Sequence, residues 1–168
     1  MTHIALSASF APIRDTPDHI RPAEDLGFAR AWCYDSPLLY DDVFLTLARA
    51  AERTSRIGLG VGVLVPGLRS PVVTANALTS VAALAPGRVV VAVGAGFTGR
   101  FTLALPPVRI ARLEAEVAAL RTLLAGGEVP QRRGRRTGKA DPGSRRRRAL
   151  AGADLRVMPR ATGAGRRA

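Results

Sequence analysis

The first 129 positions alternate between two textures of apolar residues. Short β-rich runs begin near residues 3, 29, 57 and 88. Between them lie stretches whose apolar residues recur every three to four positions, the signature of a helix with one buried face. The runs His3–Ser9, Ala29–Tyr34, Ile57–Leu64 and Arg88–Val93 are expected strands. A first helix starts at Asp15-Thr16-Pro17-Asp18, with a capping hydroxyl and a proline in the first turn, and stops at Gly27. Pro22 inside it predicts a kink or a late start. Asp41 or Asp42 caps a second helix, whose face is Val43, Phe44, Leu47, Ala48 and Ala51. Ser70-Pro71 opens a third, with Val73, Ala77, Leu78, Val81 and Leu84 as its expected face. After the fourth strand a loop leads to Pro106-Pro107. There a helix begins with Ile110, Leu113, Val117, Leu120 and Leu124 on one side, and it ends at Gly126-Gly127.

Strand starts separated by 26, 28 and 31 residues make a regular β/α alternation of about four units, with parallel strands buried on both faces. A closed eight-unit barrel takes ~250 residues. The fold class is therefore α/β, a partial (half) TIM-type β/α barrel over residues 1–129.

Charge separates a second region. Residues 1–129 hold 12 arginines against 11 acids, a net of +1, whereas residues 130–168 hold 13 Lys+Arg against 2 Asp, a net of +11. With no apolar periodicity, residues 130–168 read as a disordered basic tail. Two explanations stand: an arm for a polyanion through Arg145-Arg146-Arg147-Arg148, or GC-rich codons read out of frame, which fall mainly on Arg, Ala, Gly and Pro. The single cysteine, Cys33, rules out an intramolecular disulfide and reads as a buried small hydrophobe. No apolar run approaches the ~20 residues of a membrane helix, and no signal peptide is read, so a cytoplasmic protein is expected.

Candidate chemistry gathers at the carboxyl ends of the strands, where such folds place ligands. Gly94-Ala95-Gly96-Phe97-Thr98-Gly99 has the G-x-G-x-x-G spacing of a dinucleotide-binding turn. The residues that follow do not read as a helix, so a strand-end loop is the competing reading. Asp35, ending the second strand, could bond a polar ring edge or a sugar-like hydroxyl, or simply serve a turn. Gly60 and Gly62 mark close approach, either of a flat ring or of tightly packed strands. His3 and His19 lack partners at ligand spacing, so no metal site is read.

Together these residues resemble the luciferase-like flavin-dependent oxidoreductases, in their coenzyme F420-dependent branch. The likeness rests on Glu24-Asp25-Leu26-Gly27-Phe28, Trp32-Cys33-Tyr34-Asp35-Ser36, Gly60 through Pro66 with Arg69-Ser70-Pro71, and Gly87-Arg88-Val89 into Val93-Gly94-Ala95-Gly96. The resemblance implies a TIM barrel holding coenzyme F420 or FMN at its carboxyl mouth, for hydride transfer to or from a small-molecule substrate. It places a non-prolyl cis peptide at Gly62–Val63 behind the ring, and makes Asp35, Ser36, Gly62, Val63 and Gly96 the expected cofactor-binding residues. Ser36 and Ser70 stand where relatives often carry His, and Phe97 near where the sugar-phosphate dehydrogenases carry Glu. The family's cofactor-phosphate contacts come from the second half of the barrel. Two other readings remain: a half-barrel homodimer with a nucleic-acid-binding tail, and a Rossmann-like nucleotide binder.

Overall fold

The computed structural model describes residues 4–130 and, as backbone, residues 154–157. Among the described residues five parallel strands lie in strict chain order: β1 (Ser7–Phe10), β2 (Arg30–Cys33), β3 (Gly58–Leu64), β4 (Val89–Val93) and β5 (Asp154–Val157). Sequential order has no point where the strand order reverses, which is the layout of successive barrel units and not of a doubly wound nucleotide-binding sheet. The helices are α1 (Thr16–Asp25), α2 (Val43–Arg53), α3 (Pro71–Leu84), α4 (Phe97–Phe101) and α5 (Ile110–Leu124).

Period-two alternation sorts the strand residues. Ala31, Cys33, Leu59, Val61, Val89, Val91 and Val93 join one core with Ile20 of α1, Leu47 of α2, Leu78 of α3 and Leu120 of α5. Trp32 pairs in register with Gly60 and stands on the opposite face. A Cβ at Gly60 would come within 2.6 Å of Trp32 Cζ3, and one at Gly62 within 3.0 Å of Trp32 Cε3. The ring that presses on these glycines is thus the chain's own indole.

Helix ends follow the sequence in most places. The Asp42 carboxylate accepts from Phe44 N and Leu45 N, Ser70 Oγ accepts from Val73 N, and Gly27 has φ +82°. At α1 no side chain caps the first turn, and the helix runs through Pro22. Thr16 Oγ1 instead donates to Ala11 O and accepts from Ile13 N, tying down the β1–α1 loop.

Three expectations are corrected. The face of α3 is rotated: Val73 and Leu84 are exposed, while Thr74, Ala75 and Thr79 are buried. Apolar residues lie all round this helix, so periodicity could not choose a side, and Thr79 Oγ1 bonds Ala75 O within its own turn. A helix, α4, opens directly after Gly96 where a loop was expected. The tail contributes a strand, β5, paired with β4 at Val90–Asp154 through Val93–Val157. Its alternation is only four residues long and is masked by surrounding arginine. The rest of the disordered-tail reading, with the arginine run, lies outside the described residues, as does His3.

Glu24 is a buried carboxylate that no motif announced. Its oxygens accept from the N–H groups of Ser55, Arg56 and Ile57, fixing the entry into β3. Burial alone would push this carboxyl up, but those three donors and the Arg56 charge outweigh it and hold its pKa down to about 2. The folded-state value lies below the unfolded one, so Glu24 stabilises the fold fully above pH 4.5, and the contribution fades as pH falls toward 2. Glu24→Gln keeps one acceptor and should cost about 2 kcal/mol at neutral pH. In urea titrations the gap between wild type and variant should close as pH drops from 5 to 2. A gap independent of pH would contradict this role.

Candidate functional site

Three adjacent strand ends converge. Asp35 and Ser36 follow β2, Gly62 and Val63 belong to β3, and Gly96 follows β4. All five expected site residues line one cleft of about 260 Å³. The Gly62–Val63 peptide is cis, and the β3–β4 register shifts there, between Gly62 and Leu64.

Asp35 has its carboxylate engaged within the chain. It is 3% exposed; its Oδ1 accepts from Arg69 Nη1 at 2.7 Å and its Oδ2 from Val65 N at 3.3 Å. Arg69 also reaches Asp42 Oδ2 at 3.2 Å and sits 5.1 Å from the Phe44 ring centroid, a cation–π contact. Burial pulls the Arg69 guanidinium down, but bonds to Asp35 and Asp42 and their charges more than offset it and leave its pKa raised. The pair ties the β2 end to the segment that leaves β3.

That segment is held from two further sides. Arg100, 7% exposed, donates Nη1 to Pro66 O and Nε to Pro106 O. Glu116 of α5 accepts from Gly67 N at 2.9 Å and from Arg112 Nε at 3.1 Å. Sequence reasoning named none of Arg69, Arg100 or Glu116 as site residues. They lie 34, 34 and 49 residues from the groups they hold, and no local pattern marks such distances.

The G-x-G-x-x-G spacing has a packing explanation. A Cβ at Gly94 would meet Val63 Cγ1 at 3.1 Å, one at Gly96 would meet Val65 Cγ1 at 2.5 Å, and one at Gly99 would stand 2.7 Å from the Asp35 carbonyl oxygen. The three glycines let the segment after β4 lie directly on the ends of β3 and β2. This and the sequential strand order replace the dinucleotide-binding reading. Cys33 is fully buried, and burial pushes its thiol up to about 12, so it is an unreactive core residue. Among the described residues no group of His, Cys, Asp and Glu could hold a metal ion, and no helix is long and apolar enough to cross a membrane.

The chain is 36% identical over 100 residues to the F420-dependent glucose-6-phosphate dehydrogenase of Intrasporangium calvum, across 55% of this chain and 30% of that enzyme. Its fold matches the coenzyme F420 dependent tetrahydromethanopterin reductase from Methanopyrus kandleri with a TM-score of 0.66 and 27% identity, over 77% of this chain and 43% of that one. A monooxygenase from Streptomyces bottropensis matches with a TM-score of 0.69 over 92% of this chain and 52% of that one; at 20% identity this is a likeness of fold alone. The chain spans about a third of the length of the curated relatives it matches. These likenesses lend no support to a nucleic-acid-binding half-barrel dimer. A model of the luciferase-like monooxygenase family matches residues 2–162, past the end of α5 and through β5, and the chain belongs to that family.

Proposed function

We propose that this chain forms the ring-binding part of a coenzyme F420-dependent oxidoreductase that acts on a small molecule in the cytoplasm. The observation that carries the reading is the convergence of Asp35, Ser36, Gly62, Val63 and Gly96 on one cleft at the carboxyl ends of three adjacent parallel strands. On this reading residues 1–129 are the N-terminal half-barrel, and residues 130–168 are a separate segment from which β5 joins the sheet.

The residues present suit a flat ring. Gly62 and Gly96 line the cleft with backbone, their Cβ directions being filled by Trp32 and Val65, and Ser36 and Thr98 add hydroxyls. A volume of about 260 Å³ falls just below the ~300–1,000 Å³ of sites that enclose drug-sized ligands, so the cleft suits the ring and not the whole cofactor. When bound, coenzyme F420 supplies the ring carbon that accepts or gives up hydride. The chain's own contribution is to hold that ring still. The Asp35–Arg69 pair, Arg100 and Glu116 fix the backbone beside it, and Tyr34 and Tyr40 line its edge.

Titration of the full chain with coenzyme F420, followed by the cofactor's own fluorescence, tests the proposal. Saturable binding, tighter for F420 than for FMN in a parallel titration, is expected. Tighter FMN binding would move the assignment to the flavin branch, and saturation with neither would end it.

A further inference from the structure

The rim of the cleft carries more apolar surface than a ring site needs. Phe97 and Phe101, four residues apart on α4, are 83% and 72% exposed. Their rings are nearly parallel, 12° apart with centroids at 5.8 Å. Phe97 lines the cleft, as do Tyr34 and Tyr40, whose own rings lie 6.1 Å apart. The loops beside these rings are held in unusual shapes. Leu38, with φ +70°, and Ala104, with φ +52°, occupy the left-handed region, and the Leu38 side chain is itself exposed. Left-handed backbone at a residue other than glycine costs free energy, and such residues collect where a ligand is gripped. Among the described residues the charged side chain on the lining, Asp35, is turned onto Arg69 and paired there.

From these observations we infer that the cleft rim binds a planar, uncharged aromatic substrate, stacked on the face of Phe97, with Phe101 backing that ring. Two parallel phenyl rings extend naturally by a third flat ring, because offset stacking matches the positive edge of one ring to the negative face of the next. A described lining whose carboxylate is already paired favours a neutral ligand, since an unpaired charge brought into it would lose its water without gaining a partner. The inference rests on the proposed cofactor site for its place in a reaction, but not for binding itself.

The test uses the full chain and the neutral probe N-phenyl-1-naphthylamine, whose fluorescence rises on leaving water. Saturable binding is expected for wild type and for Phe97→Tyr. Phe97→Leu, which keeps an apolar side chain but no ring, should bind about tenfold more weakly, the scale of one lost stacking contact with its burial. Phe97→Glu should bind at least tenfold more weakly than Phe97→Leu. Because Phe97 is exposed, these variants should keep the wild-type circular dichroism. Equal affinity for Phe97→Leu and wild type would overturn the inference, as would displacement of the probe by an anionic sugar phosphate. Coenzyme F420 titrations on the same samples separate the two ideas. Probe binding that follows the ring at position 97 without F420 binding leaves the substrate inference standing and removes the cofactor. F420 binding with probe affinity indifferent to Phe97 does the reverse.

Discussion

Gly96→Ala is expected to lower stability by about 4 kcal/mol. Two separate terms produce this figure. Gly96 has φ +64°, where an L side chain costs about 1–2 kcal/mol. The new methyl would also overlap the Val65 side chain, and overpacking of this kind costs about 1–3 kcal/mol. Gly87 isolates the first term, since it has φ +72° but nothing within 4 Å of a built Cβ. Gly87→Ala should therefore cost about 1 kcal/mol. Urea denaturation of both variants gives the comparison, and Val65→Ala added to Gly96→Ala should recover part of the loss. Equal costs at positions 87 and 96 would show that contact between the segment after β4 and the end of β3 is not tight. Because Gly96 and Val65 both line the cleft, the same substitution should weaken any ligand held there.

Asp35→Ala is expected to cost nearly as much, about 3 kcal/mol, for an electrostatic reason. The substitution strips a carboxylate from a mostly buried guanidinium and from Val65 N, and breaking such a pair from one side costs about 3–5 kcal/mol. Arg69 keeps Asp42 as a second partner, which places the estimate at the low end. Arg69→Met in the same background removes the orphaned charge, so the double variant should be more stable than Asp35→Ala alone. Additive losses in that double-mutant cycle would mean that the two side chains do not interact. Asp35→Asn separates the roles further, because it retains an acceptor for Val65 N while removing the charge that faces Arg69.

Much of this framework could be read from local pattern. The four β/α units, the Asp42 and Ser70 caps, the Gly27 stop and the buried Cys33 all follow from rules spanning a few residues. Asp35, Gly62 and Gly96 were legible as strand ends, since a parallel sheet brings every carboxyl end to one side, and the family resemblance added Ser36 and Val63. What escaped was set by tertiary contact. Glu24 reaches across 31 to 33 residues to hold the start of β3, and Arg100 and Glu116 reach a loop that no periodicity links to them. Glu24 stands within a segment that carries the family likeness, yet nothing in that segment says that its carboxylate serves three N–H groups. The face of α3 escaped for the opposite reason: too many of its positions were apolar for any one side to stand out.

The strictly sequential strand order bears on how the chain comes into being. Each strand pairs with the one made just before it: Ser9 with Trp32, Trp32 with Gly60, Gly60 with Val90. No strand from β1 to β4 waits for a partner made much later, and chains fold from the amino end while they are being synthesised. The first four strands can settle one upon another as they leave the ribosome. Asp35, Gly62 and Gly96 can then stand side by side ahead of β5, the last of the described strands to leave the ribosome.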